Sequence, residues 1–166
     1  MRIVIGGAVM ALTLALSACG GSSSTSASEE AQQQRESDLY QIDRIERSFH
    51  EAISKKDIDM LVGLFSEHAT GTFRTGQTAS GKEEIRNAWL HSTAWKPTTH
   101  WLSDHPAYKL RITIEGNRGT LHFECHFVDV DTGEVAVATA GSADVAKING
   151  TWLITNFVGS TTELKI

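Results

Sequence analysis

The stretch of residues 53–73 most constrains how this chain folds, because its pattern changes there from helical to strand. Leu61, Leu64 and Phe65 share one face of a short helix, and Asp57 caps that helix by accepting from its free N–H groups. The chain before this stretch is helical in pattern, and most of the chain after it is typical of strands. Helices and then a run of strands predict an α+β domain, with the helices packed on one face of a mainly antiparallel sheet.

Two further segments have a helical pattern. Apolar residues recur at helical spacing from Leu39 to Ile53 and predict a long first helix, with Ser37 as its N-cap, that covers the sheet. Ser80 and Glu83 have the spacing of a capping box, which predicts a third helix. The inner faces of these two helices are predicted to carry Leu39, Ile42, Ile45, Phe49, Ala52 and Ile53 in the first, and Ile85, Ala88 and Trp89 in the third.

The second half of the chain alternates between apolar and polar residues, which is typical of strands. Turn signals at residues 116–117, 131–133 and 149–150 divide this half, and the last of them, Asn149-Gly150, is a strong hairpin signal. The pattern therefore predicts an antiparallel meander of at least four strands.

Length and charge narrow the class of protein. A chain of 166 residues with 40% hydrophobic content is large enough for one domain with a real core. The net charge of −5 and the absence of a run of Lys or Arg exclude the basic surface that nucleic acid requires. Cys125 lies in an alternating apolar strand and is predicted to be a buried free thiol, and the two cysteines imply no disulfide framework.

The N-terminus is typical of a targeting segment. Arg2 precedes an apolar run, residues 3–16, that is too short to span a bilayer. The sequence Leu16-Ser17-Ala18-Cys19 resembles the bacterial lipobox, which implies removal of residues 1–18 and acylation of Cys19. The alternative is ordinary secretory cleavage near Ala18, with Cys19 incidental.

The lipobox also implies domain boundaries and a location. Residues 19–36 are rich in Gly, Ser and Gln and predict a flexible linker, which leaves residues 37–166 as the globular domain. Acyl chains would attach the protein to a membrane in the cell envelope. Gly20 differs from the Asp that resembles an inner-membrane retention signal. The prediction is therefore the outer membrane, facing the periplasm, in a Gram-negative cell, and otherwise the outer face of the cell membrane.

Five short motifs carry a family resemblance, namely Lys55–Leu61, Leu64–Ala69, Gly81–Ile85, Ile114–Gly119 and Asn149–Ile154. Over residues 37–157 they resemble the SnoaL-like branch of the nuclear transport factor 2-like superfamily. The resemblance implies a cystatin-like cone, in which a curved antiparallel sheet with three N-terminal helices encloses a pocket between the sheet and the first helix. It also implies a homodimer formed through the sheet.

The resemblance leaves the function open, because the superfamily contains cofactor-free enzymes and proteins without known chemistry. We expect the pocket to bind a small, largely apolar ligand or a partner without catalysis. The alternative is a cofactor-free lyase, isomerase or hydrolase acting on a small hydrophobic substrate. The predicted pocket residues are Phe49, Ile53, Trp89, His122, His126 and Phe157.

The catalytic alternative depends on His100. Thr98-Thr99-His100-Trp101 resembles the segment that carries a histidine base in the scytalone dehydratase and dehydrochlorinase branches. In those enzymes a carboxylate at the end of the first helix orients the histidine, whereas the equivalent place in this chain is Ser54 or a neighbour, and Asp57 is committed to capping. Glu124 is the predicted replacement. The other interpretation is that His100 is a strand-end or pocket-wall residue making an ordinary hydrogen bond.

His122, Glu124 and His126 occupy one face of a strand. That face either lines the pocket or is solvated or part of a wet dimer surface. Two histidines also raise the possibility of a metal, but a metal site needs three or four converging ligands, and neither a cysteine pair nor an HExxH motif is present. The sequence therefore predicts no metal and no cofactor.

Overall fold

A computed structural model describes residues 23–96 and 101–163. Among the described residues, those from 34 onward form one compact unit, and residues 23–33 belong to a second. Cys19 and His100 lie outside the described residues. The elements are α1 (Ser23–Lys55), α2 (Ile58–Gly63), β1 (Phe65–Thr72), β2 (Thr78–Ser80), α3 (Gly81–Leu90), a 3-10 helix (Thr93–Trp95), β3 (Trp101–Glu115), β4 (Arg118–Asp129), β5 (Val135–Ile148) and β6 (Thr151–Glu163).

The six strands form one curved mixed sheet in the order β2-β1-β6-β5-β4-β3, which confirms the α+β class. Strands β3 to β6 form the predicted antiparallel meander. Strand β6 also pairs with β1, and this pair is parallel, so the sheet is not antiparallel throughout. Register shifts interrupt the pairing of β6 with β1 and all three pairings within the meander, and such bulges bend a sheet.

Helix α1 begins at Ser23, so the predicted N-cap at Ser37 is wrong. Residues 23–55 contain neither Gly nor Pro, and Ala, Glu and Gln are good helix formers. The described part of the predicted linker is consequently helical, and residues 26–37 are exposed. The helix ends at Lys55 and is followed by Lys56, which has a left-handed φ of 54°. No helix among the described residues is long and apolar enough to cross a lipid bilayer.

The two shorter helices begin differently. Asp57 caps α2 as predicted, with its side chain accepting from the Met60 N–H at 2.9 Å. The predicted Ser80–Glu83 box at the start of α3 is wrong, because the Ser80 N–H donates to Glu84 at 2.8 Å and its hydroxyl makes no capping bond. Gly81, the first residue of α3, has a left-handed φ of +79°. With this backbone conformation the side chain that accepts from the Ser80 N–H is that of Glu84, one position after Glu83.

Phe65 begins β1 and is fully buried there, although its spacing from Leu61 predicts a place on the face of the second helix. Strand β4 places Leu121, Phe123, Cys125 and Phe127 on the inner face of the sheet, where they join the buried side of α1. His122, Glu124 and His126 therefore lie on the outer face, because successive side chains of a strand point to opposite sides.

The buried carboxylate of Asp38 links α1 to the β5–β6 hairpin through hydrogen bonds. Asp38 is 6% exposed, and its Oδ1 accepts from Lys147 Nζ at 2.7 Å and from Trp152 Nε1 at 2.8 Å. Gln34 donates to the same oxygen at 3.1 Å. Burial alone would raise the pKa of Asp38, but the hydrogen bonds and the charge of Lys147 outweigh it, so the pKa lies below 3.8.

Candidate functional site

An aromatic cavity of about 320 Å³ lies between the inner face of the sheet and the helices. Phe49 forms one wall, with its ring centroid 5.4 Å from those of both Trp89 and Phe157. Phe73 packs edge-on against Trp89, also at 5.4 Å. The other apolar lining comes from Ile53, Ala88, Ala94, Phe123, Phe127 and Val137.

The periphery of the cavity is polar. Arg74, Thr75, Gln77 and His91 line it and are exposed to solvent. Thr139 supplies a hydroxyl from β5 within the otherwise apolar inner wall. Such a site can bury the apolar part of a small molecule while leaving one polar end near water.

The predicted pocket residues separate into two groups. Phe49, Ile53, Trp89 and Phe157 all line the cavity. His122 and His126 lie on the outer face of β4, contrary to prediction, because the inner positions of that strand are taken by its apolar residues.

Glu124 also lies on the outer face, where its Oε2 accepts from Lys109 Nζ at 3.0 Å. Arg111, His122 and Ser142 join these two residues along an open groove. His100 is outside the described residues, so the predicted His100–Glu124 pair stays a prediction. The position of Glu124 does not favour it, because the aromatic cavity is on the inner face.

A second group of ionisable side chains lies in the core next to the cavity. Glu46 and His50 are one helical turn apart on α1 and meet Cys125 of β4, with all three side chains fully buried. Cys125 Sγ is 2.8 Å from His50 Nε2, and the same nitrogen is 3.3 Å from Glu46 Oε1. Thr139 Oγ1 lies 3.3 Å from the sulfur and connects this cluster to the cavity wall.

Burial raises the pKa of the Glu46 carboxyl to about 7, and repulsion from Asp43 adds to this effect while Arg47 opposes it. The His50 ring packs against Phe123 and Phe127, with centroids 5.2 and 5.4 Å away. The Glu46–His50–Cys125 cluster is therefore an ionisable site with apolar surroundings.

This cluster was not predicted from the sequence. Glu46 and His50 follow Ile42 and Ile45 at spacings that place all four residues on the buried stripe of α1. The signal that could have found them was the presence of two ionisable residues, at positions i and i+4, inside an apolar stripe. Cys125 is buried and forms no disulfide, as predicted, but the pattern of its strand indicated only a small hydrophobe.

Comparison with known proteins gives a family match and several structural neighbours. The model of the SnoaL-like domain family matches residues 34–158. Comparison with curated protein sequences gives no significant match.

Three solved structures illustrate the structural likeness. A nuclear transport factor 2-like protein with a cystatin-like fold from Novosphingobium aromaticivorans has 15% identity and a TM-score of 0.70, covering 84% of this chain and 90% of its own. A Nostoc punctiforme protein of unknown function with a cystatin-like fold has 21% identity and a TM-score of 0.64, covering 75% and 91%. A hexachlorocyclohexane dehydrochlorinase from Novosphingobium barchaimii has 15% identity and a TM-score of 0.65, covering 80% and 94%. At these identities the likeness establishes the cystatin-like fold alone.

Proposed function

The chain belongs to the SnoaL-like domain family, and we propose that its domain binds a small, largely apolar ligand in the aromatic cavity without catalysing a reaction. The observation that carries this proposal is the cavity itself. Its volume of about 320 Å³ is at the lower end of the range for small-molecule sites, roughly 300–1,000 Å³.

The lining indicates the kind of ligand. Phe49, Phe73, Trp89 and Phe157 form a cluster of tilted and edge-on rings, which favours a planar or compact hydrocarbon body. The exposed polar lining residues suit one polar substituent, such as a hydroxyl or carbonyl group. A strongly charged ligand does not suit the cavity, because the buried wall would desolvate it.

The proposal is tested by titrating the protein with 1-naphthol in a calorimeter. Ala94→Phe fills the cavity from its partly buried lining position, and we expect it to weaken binding at least tenfold. Ala31→Phe is the matched control, because it makes the same chemical change at an exposed position of α1 and should bind like the wild type. Equal affinities in all three proteins would show that the probe does not occupy this cavity.

The place of action is also part of the proposal. The lipobox around Cys19 supports a lipoprotein whose linker, residues 19–36, connects the domain to a membrane of the cell envelope. The outer face of the sheet supports a homodimer, because Val158 is 44% exposed there and is paired with the small residue Ser142 of β5.

A further inference from the structure

The Glu46–His50–Cys125 cluster brings together three kinds of metal-ligand atom. A carboxylate oxygen, an imidazole nitrogen and a sulfur atom lie within 4.8 Å of one another. The exposed fractions are 1% for Glu46 and 0% for both His50 and Cys125, so the ligand atoms converge in the interior. Two ligands come from adjacent turns of α1 and the third from the facing strand β4.

Hydrogen bonding within the cluster does not satisfy all of its atoms. His50 Nε2 lies 2.8 Å from the Cys125 sulfur and 3.3 Å from Glu46 Oε1, but a ring nitrogen carries at most one proton. Among residues 23–96 and 101–163, Glu46 Oε1 has no hydrogen-bond partner. A buried carboxylate oxygen without a partner is destabilising, and a bound cation would remove that cost.

The spacing is close to that of a tetrahedral site. Bond lengths of about 2.0–2.3 Å around zinc place a nitrogen and an oxygen ligand roughly 3.4 Å apart. The observed Nε2–Oε1 distance of 3.3 Å fits this value. A sulfur and a nitrogen ligand would be roughly 3.6 Å apart. The observed 2.8 Å therefore requires the Cys125 and His50 side chains to separate by about 0.8 Å when a metal enters.

We propose that Glu46, His50 and Cys125 bind one divalent transition-metal ion of the zinc class, which links α1 to β4 behind the aromatic cavity. The charges balance, because a thiolate and a carboxylate together neutralise a dication and leave no net buried charge. Sulfur and imidazole ligands favour zinc over magnesium or calcium.

The fourth coordination position is on the Thr139 side. Thr139 Oγ1 is 3.3 Å from the Cys125 sulfur, and Thr139 lines the cavity. The hydroxyl itself or a water molecule would complete a tetrahedron there, since zinc sites with three protein ligands keep one position for water. This inference does not depend on the proposed apolar ligand. A metal with the purely structural role of linking α1 to β4 would be bound by the same three residues.

The test uses the full chain carrying Cys19→Ala, which leaves Cys125 as its only thiol. The protein is stripped with a chelator, dialysed against zinc and analysed by mass spectrometry of the metal. We expect one zinc ion per chain. Replacement of zinc by cobalt(II) should produce a thiolate-to-cobalt charge-transfer band in the near ultraviolet.

Two variants and one control locate the ion. In the same background, Cys125→Ala should abolish the charge-transfer band, and the nearly isosteric Glu46→Gln should weaken zinc binding at least tenfold. His122→Gln is the matched control, because His122 is on the outer face of the same strand, and it should retain both signals.

A folded, stripped protein that takes up no zinc would overturn the inference. So would a cobalt spectrum without the thiolate band, or metal that is lost in His122→Gln and kept in Cys125→Ala. If Cys125→Ala does not fold, as judged by circular dichroism, the cobalt spectrum of the Cys19→Ala chain still decides whether the sulfur is a ligand.

Discussion

The substitution Asp38→Asn tests how the first helix is held to the sheet. The change keeps the shape of the side chain but removes the charge that Lys147 and Trp152 share at one oxygen. Asp38 is 6% exposed, and the side chain of Lys147 is 18% exposed, so water replaces the lost interactions poorly. We therefore expect a large loss of stability at neutral pH.

The magnitude depends on the kind of interaction lost. Breaking a buried pair by neutralising one partner costs about 3–5 kcal/mol, and hydrogen bonds to a charged group contribute about 1.5–3 kcal/mol each. The amide oxygen of Asn still accepts one hydrogen bond, which favours the lower end, about 3 kcal/mol. For a unit of this size that corresponds to a decrease in Tm of about 10 °C.

The pH dependence provides the sharper test. Because the folded pKa of Asp38 is lowered below 3.8, its contribution is present above pH 3.8 and is lost as the pH falls through the folded pKa. The difference in the free energy of unfolding between wild type and Asp38→Asn should therefore be largest at neutral pH and should shrink in acid.

The assay is urea unfolding of both proteins over a series of pH values. Asp43→Asn is the control, because the Asp43–Arg47 pair is on the same helix at 2.7 Å but is solvent-accessible. The control should lose no more than about 0.5 kcal/mol. An Asp38→Asn deficit under about 1 kcal/mol at neutral pH, or one that stays constant into acid, would refute the assigned role of Asp38.

Three other predictions concern packing, attachment and assembly. Gly119→Ala should destabilise the protein by about 1–3 kcal/mol in urea unfolding, because a Cβ there would lie 2.5 Å from the Thr113 carbonyl oxygen. Gly63→Ala is the control and should not destabilise the protein, because a Cβ at that position has no atom within 4 Å. Cys19→Ala should move the protein from the membrane fraction to the soluble fraction of a bacterial host, and equal membrane association of both forms would contradict lipidation. Light scattering should give twice the chain mass for the Cys19→Ala chain, and the mass of one chain for the Cys19→Ala chain that also carries Val158→Arg. A monomeric Cys19→Ala chain would contradict the dimer.

Much of the fold could be predicted because burial imposes a period on the sequence. The stripe from Ile42 to Ile53 identified the core face of α1 correctly, and the alternation of β4 separated the two faces of that strand. The Asp57 cap was predictable because it depends on contacts within one helical turn. The parallel pairing of β1 with β6 was not predictable, because residues 86 or more positions apart leave no local pattern that shows which strands become neighbours.

The candidate site was harder to predict than the fold. Phe49 and Phe157 were identified because aromatic residues on core faces are natural pocket walls. Glu46 and His50 were missed because a charged residue type is normally assigned to the solvent side of a helix, and only the facing strand reveals what surrounds it. His122 was assigned to the pocket because strand alternation specifies two faces without specifying which is inside.

The position of β6 in the sheet has a consequence for biosynthesis. This strand is synthesised after the other five described strands, yet it lies between β1 and β5 in the interior of the sheet. Until it has been made, β1 and β5 each present an unpaired edge of N–H and C=O groups, which is a template for association with other chains. A chain interrupted before Thr151 should therefore depend on chaperones and be prone to aggregation, because the sheet can close only after β6 has been synthesised.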